Sequence, residues 1–264
     1  MKICFIGCGN MARAMLGGII KNGVAPKEDI TASAKTEATR RRAAEQYGIR
    51  TCADNREAVR GADVIILAVK PGILPEVAEE IKDAVSCDQL LLSVAAGKTI
   101  AELESFFGSD KKIVRAMPNV PAQVGAGMTG YCANANTAPA DRELTASVLN
   151  SFGRASEVAE SQMPAVTAVS GSAPAYIFML IEAMADAAVL EGMKRADAYT
   201  FAAQTVLGSA KMVLETGEHP GVLKDMVCSP AGTTIEGLAV LEREGFRSAV
   251  IEALRSCTEK SKQI

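Results

Sequence analysis

The sequence predicts an α/β fold, with a doubly wound, mostly parallel sheet over residues 1–160 and an all-helical part over residues 161–264. Two observations carry that prediction. Short apolar runs alternate with amphipathic or Ala-rich segments through the first half. A long stretch, residues 163–191, is then apolar on all faces of a helix. Repeated strand and helix imply a parallel sheet covered on both sides.

Taken in order, residues 2–6, 30–33, 64–69, 89–94 and 112–117 read as strands, and residues 10–22, 36–47, 73–85 and 99–107 as the helices between them. Residues 128–133 and 155–158 are candidates for further strands around a helix at 139–152. Along 163–191 the only charges before Glu191 are Glu182 and Asp186. A helix of that length is roughly 40 Å long, more than two or three companion helices can cover. A second subunit is therefore expected to cover it. Pro174 should kink or start this helix, because proline has no N–H and clashes one turn back.

The chain has 264 residues, 48% of them hydrophobic, enough for a substantial core. Its 28 Lys and Arg against 31 Asp and Glu form no basic block, which argues against nucleic acid as a partner. The apolar N-terminal run is too short for a signal peptide, and no run of about 18 apolar residues suggests a clean membrane span. A cytoplasmic protein is expected. Seven cysteines without Cys-x-x-Cys spacing read as small buried residues in a reducing compartment, and no metal site is expected. The one histidine, His219, has no Gly-x-Ser-x-Gly elbow to accompany it, so a serine hydrolase is a poor reading.

The first strand runs into Gly7-Cys8-Gly9-Asn10-Met11-Ala12 and then a helix, so the Gly-x-Gly-x-x-Ala pattern stands in the strand-turn-helix context it requires. Gly7 permits the turn, Gly9 lets backbone approach a pyrophosphate, and Ala12 lets the helix pack close. This is a Rossmann-type dinucleotide site. The end of the second strand carries Ser33, Ala34, Lys35 and Thr36 where an NAD-binding protein places a carboxylate. A hydroxyl and an ammonium suit a 2′-phosphate, with Arg40 assisting, so NADPH is expected and NADH is the weaker second cofactor. Three later strands end in Ala68-Val69-Lys70-Pro71, Ala95-Ala96-Gly97 and Met117-Pro118-Asn119. Ligands of open α/β sheets bind at that edge.

These residues, with Ile6, resemble the pyrroline-5-carboxylate reductase family over nearly the whole chain. The resemblance also rests on Arg115-Ala116, on Ser170-Gly171-Ser172-Ala173-Pro174-Ala175-Tyr176, and above all on the run from His219-Pro220-Gly221 through Leu223-Lys224-Asp225 to Ser229-Pro230-Ala231-Gly232-Thr233-Thr234-Ile235. It implies a helical dimerisation domain, often assembled further into decamers, and reduction of 1-pyrroline-5-carboxylate to L-proline, the last step of proline biosynthesis. It adds Asn55 to the cofactor set. It also implies that Thr234 stands near the substrate ring nitrogen as the catalytic contact, while Ser229, Gly232 and Thr233 bind the substrate carboxylate. A Gly-containing loop ahead of a helix suits an anion. Thr233-x-x-Glu236 can alternatively be a capping box. The family often has Gly where this chain has Ala231, and Thr where it has Val120.

A protonated cyclic imine becomes a neutral amine on hydride transfer, so no strong acid is required, in keeping with a single histidine. Two rivals remain. A β-hydroxyacid dehydrogenase would need an early lysine in the long helix, where the chain has none before Lys194. A non-catalytic dinucleotide-sensing regulator would keep the glycine turn and need no loop at 229–234.

Overall fold

A computed structural model describes residues 1–263; Ile264, the last residue of the expected helical part, lies outside them. The first part runs β1 (Ile3–Ile6), α1 (Asn10–Lys21), β2 (Ile30–Ser33), α2 (Glu37–Tyr47), β3 (Arg50–Cys52), α3 (Asn55–Val59), β4 (Val64–Leu67), α4 (Leu74–Ile81), β5 (Leu90–Ser93), α5 (Ile100–Phe107), β6 (Lys112–Met117), β7 (Gly127–Ala133), α6 (Pro139–Asn150) and β8 (Gly153–Glu157). The strands form one sheet in the order β3-β2-β1-β4-β5-β6-β7-β8. Every neighbouring pair is parallel except β6 with β7.

Both faces of the sheet are covered, and β1 shows why its sequence is apolar throughout. Ile3 and Phe5 enter one core, Cys4 and Ile6 the other. The same burial explains the cysteines there: it pushes the Cys4 thiol well above its ordinary range and that of Cys132 up to about 11.

Two elements were not expected. β3 is only three residues long at the sheet edge, and α3 is a single turn and a half started by Asp54, whose carboxylate accepts from the amides of Arg56 and Glu57. The helix expected over 73–85 closes at Ile81 and continues as a 3-10 turn, Lys82–Ala84.

The long helix is present but interrupted. α7 (Met163–Val166) passes into a π-helical turn, Thr167–Ser172, and then into α8 (Ala173–Leu190). Pro174 is the second residue of α8, so the widened turn stands just where proline withholds its N–H. Compact packing divides the chain at this point, with Met1–Ser172 and the last turn from Cys257 in one unit and Ala173–Ser256 in the other. Residues 163–172 thus pack with the sheet unit, although the expected boundary at 160 lies before them.

The second unit contains α8, α9 (Arg195–Thr216), α10 (Pro220–Met226), α11 (Thr233–Arg243) and most of α12 (Phe246–Ser261). Within one chain α8 buries only Ala185 and exposes Ile177, Phe178, Met179 and Leu190. The helical run Glu160–Leu190, taken through its 3-10 and π turns, is long and apolar enough to cross a membrane by length and composition alone. Its apolar faces need a cover.

Candidate active site

The dinucleotide turn follows β1 where the strand order reverses, with β2 on one side and β4 on the other. That crevice is the expected ligand edge of such a sheet. Gly7 has φ 92°, and a Cβ there would stand 2.9 Å from the Ala68 carbonyl oxygen, so only glycine fits. Its N–H is held by the Ser33 carbonyl at 3.0 Å. Gly9 caps α1 without a side chain, no acidic residue follows in the first turn, and the space a Cβ would take at Gly9 is open. Free amides, the helix dipole and open space fit a pyrophosphate. Asn10 accepts a hydrogen bond from Arg13 at 2.5 Å, Met11 is half-buried, and Ala12 and Ile6 belong to the core.

The strand ends meet at the same edge. Ala68, Val69, Lys70 and Pro71 follow β4; Ala95, Ala96 and Gly97 follow β5; Met117 closes β6, with Pro118 and Asn119 next. The side chain of Asn119 is buried and bonded to the Ser170 carbonyl and the Met128 N–H. A dinucleotide would reach its backbone, not its amide.

The 2′-phosphate end is rearranged relative to the sequence reading. Ser33 is fully buried, and its hydroxyl donates to Asn55 Oδ1 at 2.5 Å. Asn55 in turn donates to the Glu80 carboxylate at 2.7 Å. A hydroxyl on the last strand residue points into the protein, so Ser33 supports this end instead of touching a phosphate. Lys35 is exposed, and Arg40 lies beneath its loop, donating to the carbonyls of Ala34 and Lys35 at 2.7 and 3.1 Å. Two cations, Lys35 and Arg40, and no carboxylate among residues 33–36 fit a phosphate better than a bare ribose hydroxyl pair. Glu80 was missed because it lies 47 residues past Ser33 in the chain, joined to it only through the Asn55 amide.

In the helical unit, Ser229-Pro230-Ala231-Gly232 is a tight turn closed by Gly232 N–H to the Ser229 carbonyl at 3.0 Å. Pro230 at its second position and φ 55° at Ala231 give it a type II pattern. Gly232 is the N-cap of α11 and no side chain caps it, which overturns the Thr233 capping-box alternative. Thr233 and Thr234 are the first two helical residues, both exposed. Ser229 Oγ fills the space beside the Gly232 Cα, so a Cβ there would collide with it. The family resemblance, and a Gly-containing loop ahead of a helix, were what pointed to it in the sequence. His219 is not at this turn; its Nδ1 accepts from Gly221 N–H at 3.0 Å and caps α10.

A Rossmann sheet with this phosphate turn, joined to a helical unit with an anion-suited turn, defines a dinucleotide-dependent oxidoreductase. Comparisons narrow the class. Residues 2–97 match a family model described as NADP oxidoreductase, coenzyme F420-dependent, and residues 160–264 match one described as pyrroline-5-carboxylate reductase dimerisation. The chain is 52% identical over 263 residues to the pyrroline-5-carboxylate reductase of Escherichia coli, covering 100% of this chain and 98% of that one. It is 46% identical to that of Methanosarcina acetivorans, covering 100% and 97%. The Coxiella burnetii enzyme structure superposes with a TM-score of 0.95 at 39% identity, covering 99% and 97%. That of Plasmodium falciparum, with NADP bound, gives 0.88 at 35% identity, covering 100% and 97%. The chain belongs to the pyrroline-5-carboxylate reductase family. The dimerisation match coincides with the exposed apolar helices, so residues 160–264 are its self-association part.

Proposed function

We propose that the protein reduces 1-pyrroline-5-carboxylate to L-proline with NADPH, the last step of proline biosynthesis, in the cytoplasm. Family membership supports the reaction, and the observation that carries the site is the uncapped start of α11 behind the Ser229–Gly232 turn. The Thr233 N–H at the uncapped start of α11, with the Ser229 hydroxyl, binds the substrate carboxylate without a cationic side chain, and Gly232, whose own N–H closes the turn, gives the carboxylate close access to that backbone. Thr234 Oγ accepts the N–H of the protonated imine and fixes the ring.

Ile6, Gly7, Gly9, Asn10, Met11 and Ala12 hold the pyrophosphate turn, Lys35 with Arg40 the 2′-phosphate, and the strand-end residues 68–71, 95–97 and 117–119 the rest of the dinucleotide. Bound NADPH supplies a hydride to the imine carbon. The protein orients the two and excludes other poses. The electrons of the C=N bond pass to nitrogen, which already carries its proton, so the amine forms without a general acid. A histidine held as a helix cap is consistent with that.

Purified protein with NADPH and 1-pyrroline-5-carboxylate is expected to oxidise NADPH in step with L-proline formation. NADPH binding without consumption would remove this reading and favour a sensing role. The assembly is a dimer through α8 and α9, with dimers joining into decamers. Its support is the apolar surface of those helices, and sedimentation at several concentrations tests it.

A further inference from the structure

β5 and β6 are paired as far as Ser93 with Arg115. Residues 95–97 and 117–119 come after those positions, so the ladder between the two strands does not hold the loops that leave it. A doubly wound sheet serves a dinucleotide as two mononucleotide halves, one on each side of the point where the strand order reverses. The 2′-phosphate end lies at β2, which leaves the loops after β4, β5 and β6 for the nicotinamide half.

One carboxylate oxygen ties these loops where the ladder stops. Glu160 Oε1 accepts from the Ile100 N–H at 2.7 Å and from Arg115 Nη1 at 3.1 Å. Ile100 is the first residue of α5, the helix entered from the loop after β5. Arg115 stands on β6 two residues before Met117, the last of that strand. Glu160 opens a 3-10 turn, Glu160–Gln162, 60 residues along the chain from Ile100. All of these residues belong to the sheet unit.

The carboxylate meets a need at each partner. The capping box of α5 joins Thr99 Oγ1 to the Glu102 N–H at 3.1 Å and the Glu102 carboxylate to the Thr99 N–H at 2.8 Å, which leaves the Ile100 amide to Glu160. A negative charge at a helix start is also favoured by the helix dipole. The Arg115 side chain is only 11% exposed, and among the described residues its one carboxylate partner is Glu160. A cation buried to that degree requires a counter-charge. Removing the carboxylate therefore unties an amide on one loop and a guanidinium beside the other.

We propose that Glu160 is a positioning residue for the nicotinamide half of the cofactor: through the Ile100 amide and the Arg115 guanidinium it fixes the two strand-end loops, 95–97 and 117–119, that hold this half. The proposal rests on the NADPH-dependent reading above.

The test titrates two ligands into the unaltered protein, Glu160→Gln and Glu160→Ala by calorimetry. One is NADPH; the other is adenosine 2′,5′-bisphosphate, which keeps the 2′-phosphate end and lacks the nicotinamide half. Glu160→Gln retains an acceptor for the Ile100 N–H and removes the charge opposite Arg115, whereas Glu160→Ala removes both. NADPH affinity should fall roughly three- to thirtyfold in Glu160→Ala, the scale of coupling carried through a side-chain network, and about threefold in Glu160→Gln. Affinity for the bisphosphate should stay within about twofold of the unaltered protein in both. Equal losses for the two ligands would reduce Glu160 to a folding role. Unchanged NADPH affinity in both variants would mean that the loops are fixed without it, and would overturn the proposal. If Glu160→Ala does not fold, Glu160→Gln decides by the same pair of titrations. Failure of the unaltered protein to bind NADPH would defeat the cofactor reading itself, a separate result.

Discussion

Ser229 and Gly232 share one space: the Ser229 hydroxyl occupies the position from which a side chain on Gly232 would start. Gly232 has φ −81°, which any residue adopts. Its identity is therefore set by the hydroxyl beside it. Gly232→Ala should displace Ser229 and raise the KM for the imine by roughly ten- to a hundredfold, the equivalent of losing a hydrogen bond to a charged group, about 1.5–3 kcal/mol. NADPH affinity should not change. An unaltered imine KM would take Ser229 out of the carboxylate site.

Ala231, with φ 55°, is the only non-glycine residue with positive φ among the described residues. The left-handed region costs an L-residue about 1–2 kcal/mol, and glycine removes that cost while adding about 0.4–1 kcal/mol of unfolded-chain freedom. Ala231→Gly should leave thermal stability level or slightly raised, and Ala231→Val, with its branched Cβ, should lower it and raise the imine KM. The order Gly, Ala, Val in melting temperature is the check; a reversal would mean the turn does not hold this conformation.

Thr234 is the second residue of α11, two positions past the Ser229–Gly232 turn. Thr234→Ala should reduce turnover by roughly one to three orders of magnitude, as for the loss of a charge-stabilising contact, and Thr234→Ser should recover much of it. Steady-state rates at saturating NADPH decide. Full activity in Thr234→Ala would remove the residue from the mechanism.

The parts legible in the sequence were those set by local pattern. Val64 to Leu67 and Ile3 to Ile6 are apolar at every position because both sides of a parallel strand are buried, and Gly7-x-Gly9 declared its turn. The misread parts depend on partners distant in the chain. Ser33 looked like a ligand hydroxyl until Asn55 appeared beside it. The π turn arises where Pro174 meets a segment docked through Gly130 and Gly171, and neither contact is adjacent in sequence. Thr233 and Glu236 have capping-box spacing, but the preceding turn moves the cap to Gly232.

His219, the only histidine, invites a catalytic role that its geometry refuses. Its Nδ1 accepts from Gly221 N–H, so it acts as an N-cap for α10. His219→Ala should lower stability by about 1 kcal/mol, the scale of a lost cap, and His219→Asn should restore it. The pH dependence of kcat should be the same in all three proteins. A pH limb that disappears in His219→Asn would make the imidazole part of the chemistry.

Cofactor choice turns on Lys35 and Arg40. Arg40 is fastened to the carbonyls of Ala34 and Lys35, so its positive charge sits under the loop that follows β2 whether or not a ligand is present. Lys35, in that same loop, is exposed. A charge-assisted hydrogen bond contributes about 1.5–3 kcal/mol, so Lys35→Ala should cut kcat/KM for NADPH by roughly ten- to a hundredfold and leave that for NADH nearly unchanged. Lys35→Glu should go further, because a carboxylate repels the 2′-phosphate and can bond a free 2′-hydroxyl. Raising the salt concentration should narrow the NADPH advantage in the unaltered protein, since an exposed ammonium is screened over about 10 Å at 0.1 M. Equal losses for both cofactors in Lys35→Ala would place the lysine elsewhere and leave Arg40 as the sole source of preference.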